Sequence, residues 1–300
     1  MSDEGVKIPL GYADIPSHKL FACDPPKQIY HYTDFNGVSG IIESKSLWLT
    51  KLSYLNDKSE LTLAIDLFRS QAASWANKIG DGEKAKFLRD ASHQLQSFSN
   101  TNICVASFCE DGDLLSQWRS YGNDGSGVAI EFDAHSLTSL SRPAPMNLWK
   151  CVYSREEQQT VVEGLIEILL RSYDVVGATR TTNWENTKKD IIGYFNTTFL
   201  TVAPVIKNYH FSEEREWRII TASMPFTDDN WFSRVSNNRV AQYYKLRFDL
   251  VDNGKYGFVN GVIVGPTREP TQVAEAISVL MHKNGYCHKH VGHSQIPYRS

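Results

Sequence analysis

The chain has 300 residues, room for one large domain or two small ones at roughly 150 residues each, and a chain this long buries about 75% of its unfolded surface. Its 41% hydrophobic, 22% charged and 12% aromatic residues fit a globular protein and exclude disordered, collagenous and coiled-coil chains. With 31 Lys and Arg against 34 Asp and Glu the net charge is −3, so no global positive field draws in nucleic acid.

Residues 1–27, with Pro9, Pro16, Pro25 and Pro26, read as an irregular leader, because proline discourages both helix and central strand. The Met-Ser-Asp-Glu-Gly start lacks the basic and apolar regions of a secretory signal; a cytoplasmic protein is expected. Apolar stretches such as Phe199–Ile206 fall well short of the roughly 20 residues that span a bilayer, so no membrane helix is expected. Five cysteines without a C-x-x-C pair predict reduced, mostly buried thiols.

From Gln28 on, short apolar runs alternate with helical patterns, which predicts one α+β domain over 28–300. Strands are predicted at Ile29–Thr33, Leu47–Thr50, Ile103–Phe108, Val128–Phe132, Leu148–Tyr153, Trp217–Ile220, Tyr243–Phe248, Gly261–Val264 and Tyr286–Val291. Helices are predicted at Phe35–Ser44, Ser59–Ile79, Glu83–Ser97, Leu114–Tyr121, Arg155–Tyr173, Trp184–Ile206 and Thr271–Lys283. Ser154 and Glu157 form a capping-box pattern, and Gly285 stands where a helix wants a left-handed terminal residue. The two helices within about 154–207 form an inserted helical block, and Met224–Gln242 reads as a long surface loop.

Several constellations carry chemistry-bearing side chains. Tyr30-His31-Tyr32-Thr33 opens the first strand, where period-2 geometry sends His31 to one face and both tyrosines to the other. Asp57-x-x-Glu60 has the spacing of a helix N-cap. Ser107-Phe108-Cys109-Glu110 leads into Gln117-Trp118-Arg119-Ser120-Tyr121, in which Trp118 and Tyr121 share a helix face. In Glu214-Arg215-Glu216-Trp217-Arg218 alternation puts Glu214, Glu216 and Arg218 on one face of a strand. A solvated salt-bridged edge and a carboxylate poised for general-base or electrostatic work both fit that pattern. His282, His288, His290 and His293 cluster late in the chain, yet their spacing matches no zinc signature; no metal is expected. The P-loop, Rossmann, serine-hydrolase and zincin motifs do not occur.

Together, Tyr30-His31-Tyr32-Thr33, Leu55-Asn56-Asp57-x-x-Glu60, Ser107-Phe108-x-Glu110, Gln117-Trp118-x-x-Tyr121, Glu214-x-Glu216-Trp217-Arg218 and Ser294-x-Ile296-Pro297-Tyr298-Arg299 resemble a widespread bacterial family of unknown function over residues 29–299. The layout also looks like that of ADP-ribosyltransferases, including DNA-modifying toxins. That resemblance implies a mixed, mostly antiparallel sheet of short strands and NAD as substrate. His31 would hold the NAD ribose, an aromatic such as Tyr54 or Tyr121 would pack on nicotinamide, and Glu216 would steady the cation formed as nicotinamide leaves. Tyr30, Tyr32, Thr33, Ser107, Trp118, Glu214 and Arg218 complete the expected substrate site, with Ser107 as stand-in for the superfamily's middle-strand motif. The resemblance further implies an acceptor on nucleic acid or protein and a partner from a toxin or antiphage defence system. Two rival functions are a non-catalytic binding module, whose motif residues would be consumed in caps and ion pairs, and a metal-independent nuclease, which would need Arg119, Lys207, Arg218 and Arg268 to converge.

Overall fold

The computed structural model describes residues 23–55, 58–95, 101–121, 127–140, 146–178, 183–236, 239–248 and 258–298. In chain order these form β1 (Gln28–Thr33), α1 (Phe35–Ser44), β2 (Ser46–Lys51), α2 (Lys58–Ile79), α3 (Glu83–Gln94), β3 (Cys104–Phe108) and α4 (Leu115–Tyr121). There follow β4 (Val128–Asp133), α5 (Ala134–Leu140), β5 (Met146–Lys150), α6 (Arg155–Ala178), α7 (Trp184–Val202) and β6 (Trp217–Thr221). The chain continues with β7 (Trp231–Ser236), β8 (Arg239–Arg247), β9 (Val259–Val264), α8 (Pro270–Lys283) and β10 (His290–His293). Two compact units result, a β-rich one from Asp24–Tyr54, Asn102–Lys150 and Phe211–Ser300, and a helical one that includes Leu55–Thr101 and Cys151–His210.

The β-rich unit holds a four-stranded sheet in the order β1-β4-β9-β10 and a six-stranded sheet in the order β5-β6-β3-β2-β8-β7. Every pairing is antiparallel except β9 with β10, whose parallel register requires the crossover that α8 supplies. Ile29, Ile130 and Val262 of the smaller sheet share one buried cluster with Leu49, Phe108 and Ile219 of the larger one, and α1 adds Val38, Ile41 and Ile42. Alternating residues of both sheets thus meet across a common core. Reciprocal backbone hydrogen bonds between Tyr30 and Cys109, each 2.8 Å, tie β1 to the residue after β3. The fold is α+β, as the sequence predicts, with its strands divided between a mixed and an antiparallel sheet.

In the helical unit Phe68 of α2 meets Phe195 and Phe199 of α7 at ring separations of 5.2 and 5.5 Å. Phe87 of α3 stacks near Tyr173 of α6, 4.7 Å away. The entry and exit of the α6–α7 pair are adjacent, because Val152 N–H donates to Val205 O at 2.8 Å and Lys207 N–H to Val152 O at 3.1 Å. The capping box forms as spaced: Glu157 N–H donates to Ser154 Oγ at 3.2 Å and Ser154 N–H to the Glu157 carboxylate at 3.3 Å. Gly285 has φ 91°, the left-handed conformation its position predicts.

Three local expectations change. The stretch Met224–Gln242 is not a loop throughout, since it contains β7 and the start of β8. Ser236 pairs with Arg239, so the two strands lie antiparallel along this stretch. The last strand begins at His290, not Tyr286, because His288 takes φ 68° and interrupts extended backbone. Glu214 belongs to a 3-10 turn, Tyr209–Glu214, and Arg215 has φ 41°, so strand alternation does not reach back to Glu214. The Asp57 cap lies outside the described residues. Its spacing partner Glu60 is buried and pairs with Lys207 at 3.7 Å.

Candidate functional site

A narrow cleft of about 290 Å³, part of it open to solvent, runs along β1 in the β-rich unit. Its lining comprises Tyr30, His31 and Tyr32 of β1, Ser107 of β3 and Cys109 just after it, Gln117 and Tyr121 of α4, and Glu214 and Glu216 from the segment entering β6. The reciprocal Tyr30–Cys109 bonds and the pairing of Ser107 with Arg218 bring these sequence-distant segments together.

His31 is half-buried. Its Nδ1 lies 2.9 Å from Ser107 O, and because a carbonyl only accepts, Nδ1 carries the proton. Burial is the largest influence on the ring and lowers its pKa below 6.5; the nearby Arg234 charge lowers it further, against a smaller opposing pull from the Ser107 carbonyl. A neutral ring results near pH 7, with Nε2 as its acceptor.

Glu216 is 2% exposed and Arg218 5%. Arg218 Nε donates to Glu216 Oε1 at 2.6 Å and Nη2 to Oε2 at 3.0 Å, a bidentate pair that fixes the carboxylate's orientation. Nearby Glu110 accepts from Lys150 Nζ at 2.8 Å and Trp217 Nε1 at 3.0 Å. Burial raises its pKa, but these donors and the Arg215 charge outweigh that and hold it below the ordinary carboxylate value.

Among the sequence-predicted residues, the cleft gathers His31, Glu216, Tyr30, Tyr32, Ser107, Tyr121 and Glu214. Tyr32 is partly committed, since its hydroxyl donates to Asp111 O and accepts from Leu114 N–H, both at 2.9 Å. Four residues stand outside the lining. Thr33 packs against Gly37, where no Cβ would fit. Tyr54 ends a short 3-10 turn and is 41% exposed. Trp118 is buried against Tyr32, ring centroids 4.7 Å apart, and donates to Asp113 at 2.8 Å. Arg218 reaches the site through Glu216. None of the four cations a nuclease would gather lines the cleft: Lys207 pairs with Glu60, Arg218 with Glu216, and Arg268 lies 5.8 Å from the Tyr298 ring.

Two lining residues, Cys109 and Gln117, were not among the candidates. Gln117 is 4% exposed. The signal was its place in Gln-Trp-x-x-Tyr, where a buried amide beside a tryptophan asks for a polar partner. Sequence reasoning also missed Asp113, which accepts from Trp118 Nε1, from Ser294 Oγ and from Gln295 N–H. Among the described residues no group of three or more His, Cys, Asp or Glu could hold a metal ion, and Cys104, Cys109 and Cys151 are buried thiols while Cys23 and Cys287 are exposed.

Residues 117–219 match a family described as "Protein of unknown function (DUF2971)". This third of the chain runs from Gln117 to Ile219 and so includes Tyr121, Glu214 and Glu216 of the cleft. No curated protein and no solved structure matches the chain. Among the described residues no helix is long and apolar enough to cross a membrane.

Proposed function

We propose that this chain breaks the bond between nicotinamide and ribose in NAD and passes the ADP-ribosyl group to water or to an acceptor on nucleic acid or protein. The observation carrying this reading is that His31 and Glu216, distant in sequence, line one cleft. Neutral His31 accepts a hydrogen bond from a ribose hydroxyl at Nε2, and Tyr30 and Tyr121 offer aromatic faces to the nicotinamide ring.

As the C1′–N bond breaks, nicotinamide leaves with the electron pair and positive charge grows at C1′ and the ring oxygen. A buried, fixed carboxylate stabilises that state more than the ground state. In this reading Glu216, fixed by its pair with Arg218, takes that role. The incoming hydroxyl then adds to C1′ and yields its proton, for which Glu214 is the second carboxylate of the cleft.

The Glu216–Arg218 pair also favours a second reading, a non-catalytic binding module in which Glu216 serves only to neutralise a buried guanidinium. Nicotinamide release from NAD, measured with and without DNA, RNA and protein acceptors, separates the two readings. Glu216→Gln should lower turnover by roughly a hundredfold or more, but it also removes a charge that balances Arg218. The double variant Glu216→Gln with Arg218→Met removes that complication: it should regain thermal stability without regaining turnover. Recovery of turnover in the double variant, or absence of nicotinamide release from the wild type under every condition, would reject catalysis by Glu216.

A further inference from the structure

Arg234, on the edge strand β7, occupies an unusual setting. Its guanidinium lies 5.8 Å from the Trp48 ring and 5.8 Å from the Tyr243 ring. Nη2 donates to Thr50 Oγ1 at 3.1 Å. The Nε–H is buried and has no hydrogen-bond partner among the described residues. Within those residues no carboxylate stands at ion-pair distance, and Asp34, whose charge is felt at longer range, is already engaged in capping α1 through Gly37 N–H at 2.7 Å.

A partly desolvated guanidinium with a free donor and no counter-charge is costly unless something anionic completes it. Its planar fork matches a phosphate, and the flanking rings hold the plane in place. The surrounding strands relate this cation to the cleft. Thr50 on β2 lies opposite Val105 on β3, and Ser107, whose carbonyl accepts from His31, is the next residue of β3 on that face. Arg234 is also close enough that its charge acts on the His31 ring.

We infer that Arg234 is the anchor for a phosphate group of the ligand that occupies the His31 cleft, so that the substrate class is phosphorylated nucleosides. The inference rests on the ligand reading of that cleft given above and adds the group that recognises the anion. Trp48 and Tyr243 flank the guanidinium, and Arg234, which is assigned to the phosphate, is a binding residue and not a catalytic one.

Inorganic pyrophosphate and ADP-ribose, titrated calorimetrically at low salt, test the assignment directly. Both should bind the wild type and lose tenfold or more affinity in Arg234→Met, while Arg171→Met, which removes an exposed cation of the helical unit, should bind as the wild type does. A second readout uses unmodified protein: pyrophosphate that neutralises Arg234 should raise the His31 pKa, followed by ring-proton NMR. Equal affinity of Arg234→Met and wild type, or a His31 titration unmoved by saturating pyrophosphate, overturns the anchor. Anion binding through Arg234 without any nicotinamide release rejects the NAD reading and leaves the anchor standing; NAD turnover with unchanged KM and anion affinity in Arg234→Met does the reverse.

Discussion

At the scale of single residues, His31 ties the cleft to a pH dependence whose direction follows from its surroundings. Its folded pKa lies below 6.5, so between those two values the unfolded chain takes up a proton that the folded chain resists. Its contribution to stability is complete above about 6.5 and declines as pH falls towards the folded value. Melting temperatures from pH 7.5 to 5 should fall on the acid side, and His31→Gln should flatten that part of the profile; an identical slope in the variant would contradict the assignment. The neighbouring Glu216–Arg218 pair gives a second expectation. Breaking a buried pair by neutralising one partner costs about 3–5 kcal/mol, so Glu216→Gln should melt far below the wild type, whatever its turnover. Sequence alternation placed Glu216 and Arg218 on one strand face. It could not show that Arg218, two residues along the strand, spends both of its short donors on Glu216.

Among the elements, Asp113 joins the terminal Ser294-x-Ile296-Pro297-Tyr298 segment to Gln117-Trp118-x-x-Tyr121. The carboxylate takes Trp118 from α4 on one side and Ser294 and Gln295 on the other, clasping the segment after β10 to a helix that lines the cleft. Asp113→Asn places an amide N–H against the Gln295 N–H, a donor facing a donor. It should therefore release Ser294–Tyr298, seen as faster chymotryptic cleavage at Tyr298, while a cleavage rate equal to wild type would show that the clasp is idle. In the helical unit, Ser154→Ala should cost about 1 kcal/mol in a denaturant titration through loss of the capping box. Elements with strong local signals were legible from sequence: β1, α1, α6 with its cap, and the Gly285 terminus of α8. Those set by pairing were not. β7 hid in a polar stretch because Trp231, Phe232 and Val235 gain strand character only beside β8, and the shift of the last strand came from the left-handed His288. In the site, the aromatic and acidic motifs announced themselves, whereas Gln117, Asp113 and Arg234 depend on contacts between segments far apart in the chain.

Over the whole molecule, each unit is assembled from separate stretches of chain, so neither can be obtained by a single truncation. The α6–α7 segment illustrates the point, since Phe68 from the earlier stretch completes its aromatic cluster. Phe68→Ala removes a fully buried ring and should lower stability by about 3–5 kcal/mol, measured by urea denaturation; a loss below about 1 kcal/mol would mean the cluster repacks freely. The β-rich unit carries the cleft by itself, with all of its lining drawn from Asp24–Tyr54, Asn102–Lys150 and Phe211–Ser300. Its two sheets are laced by the paired Tyr30 and Cys109 amides, with the His31–Ser107 hydrogen bond beside them. That lacing acts as a rivet in the lining of the cleft. A ligand wider than the present groove enters only if the outer walls splay while the rivet holds, and so these two amides should be among the slowest in the unit to exchange with deuterium, both before and after a ligand is bound.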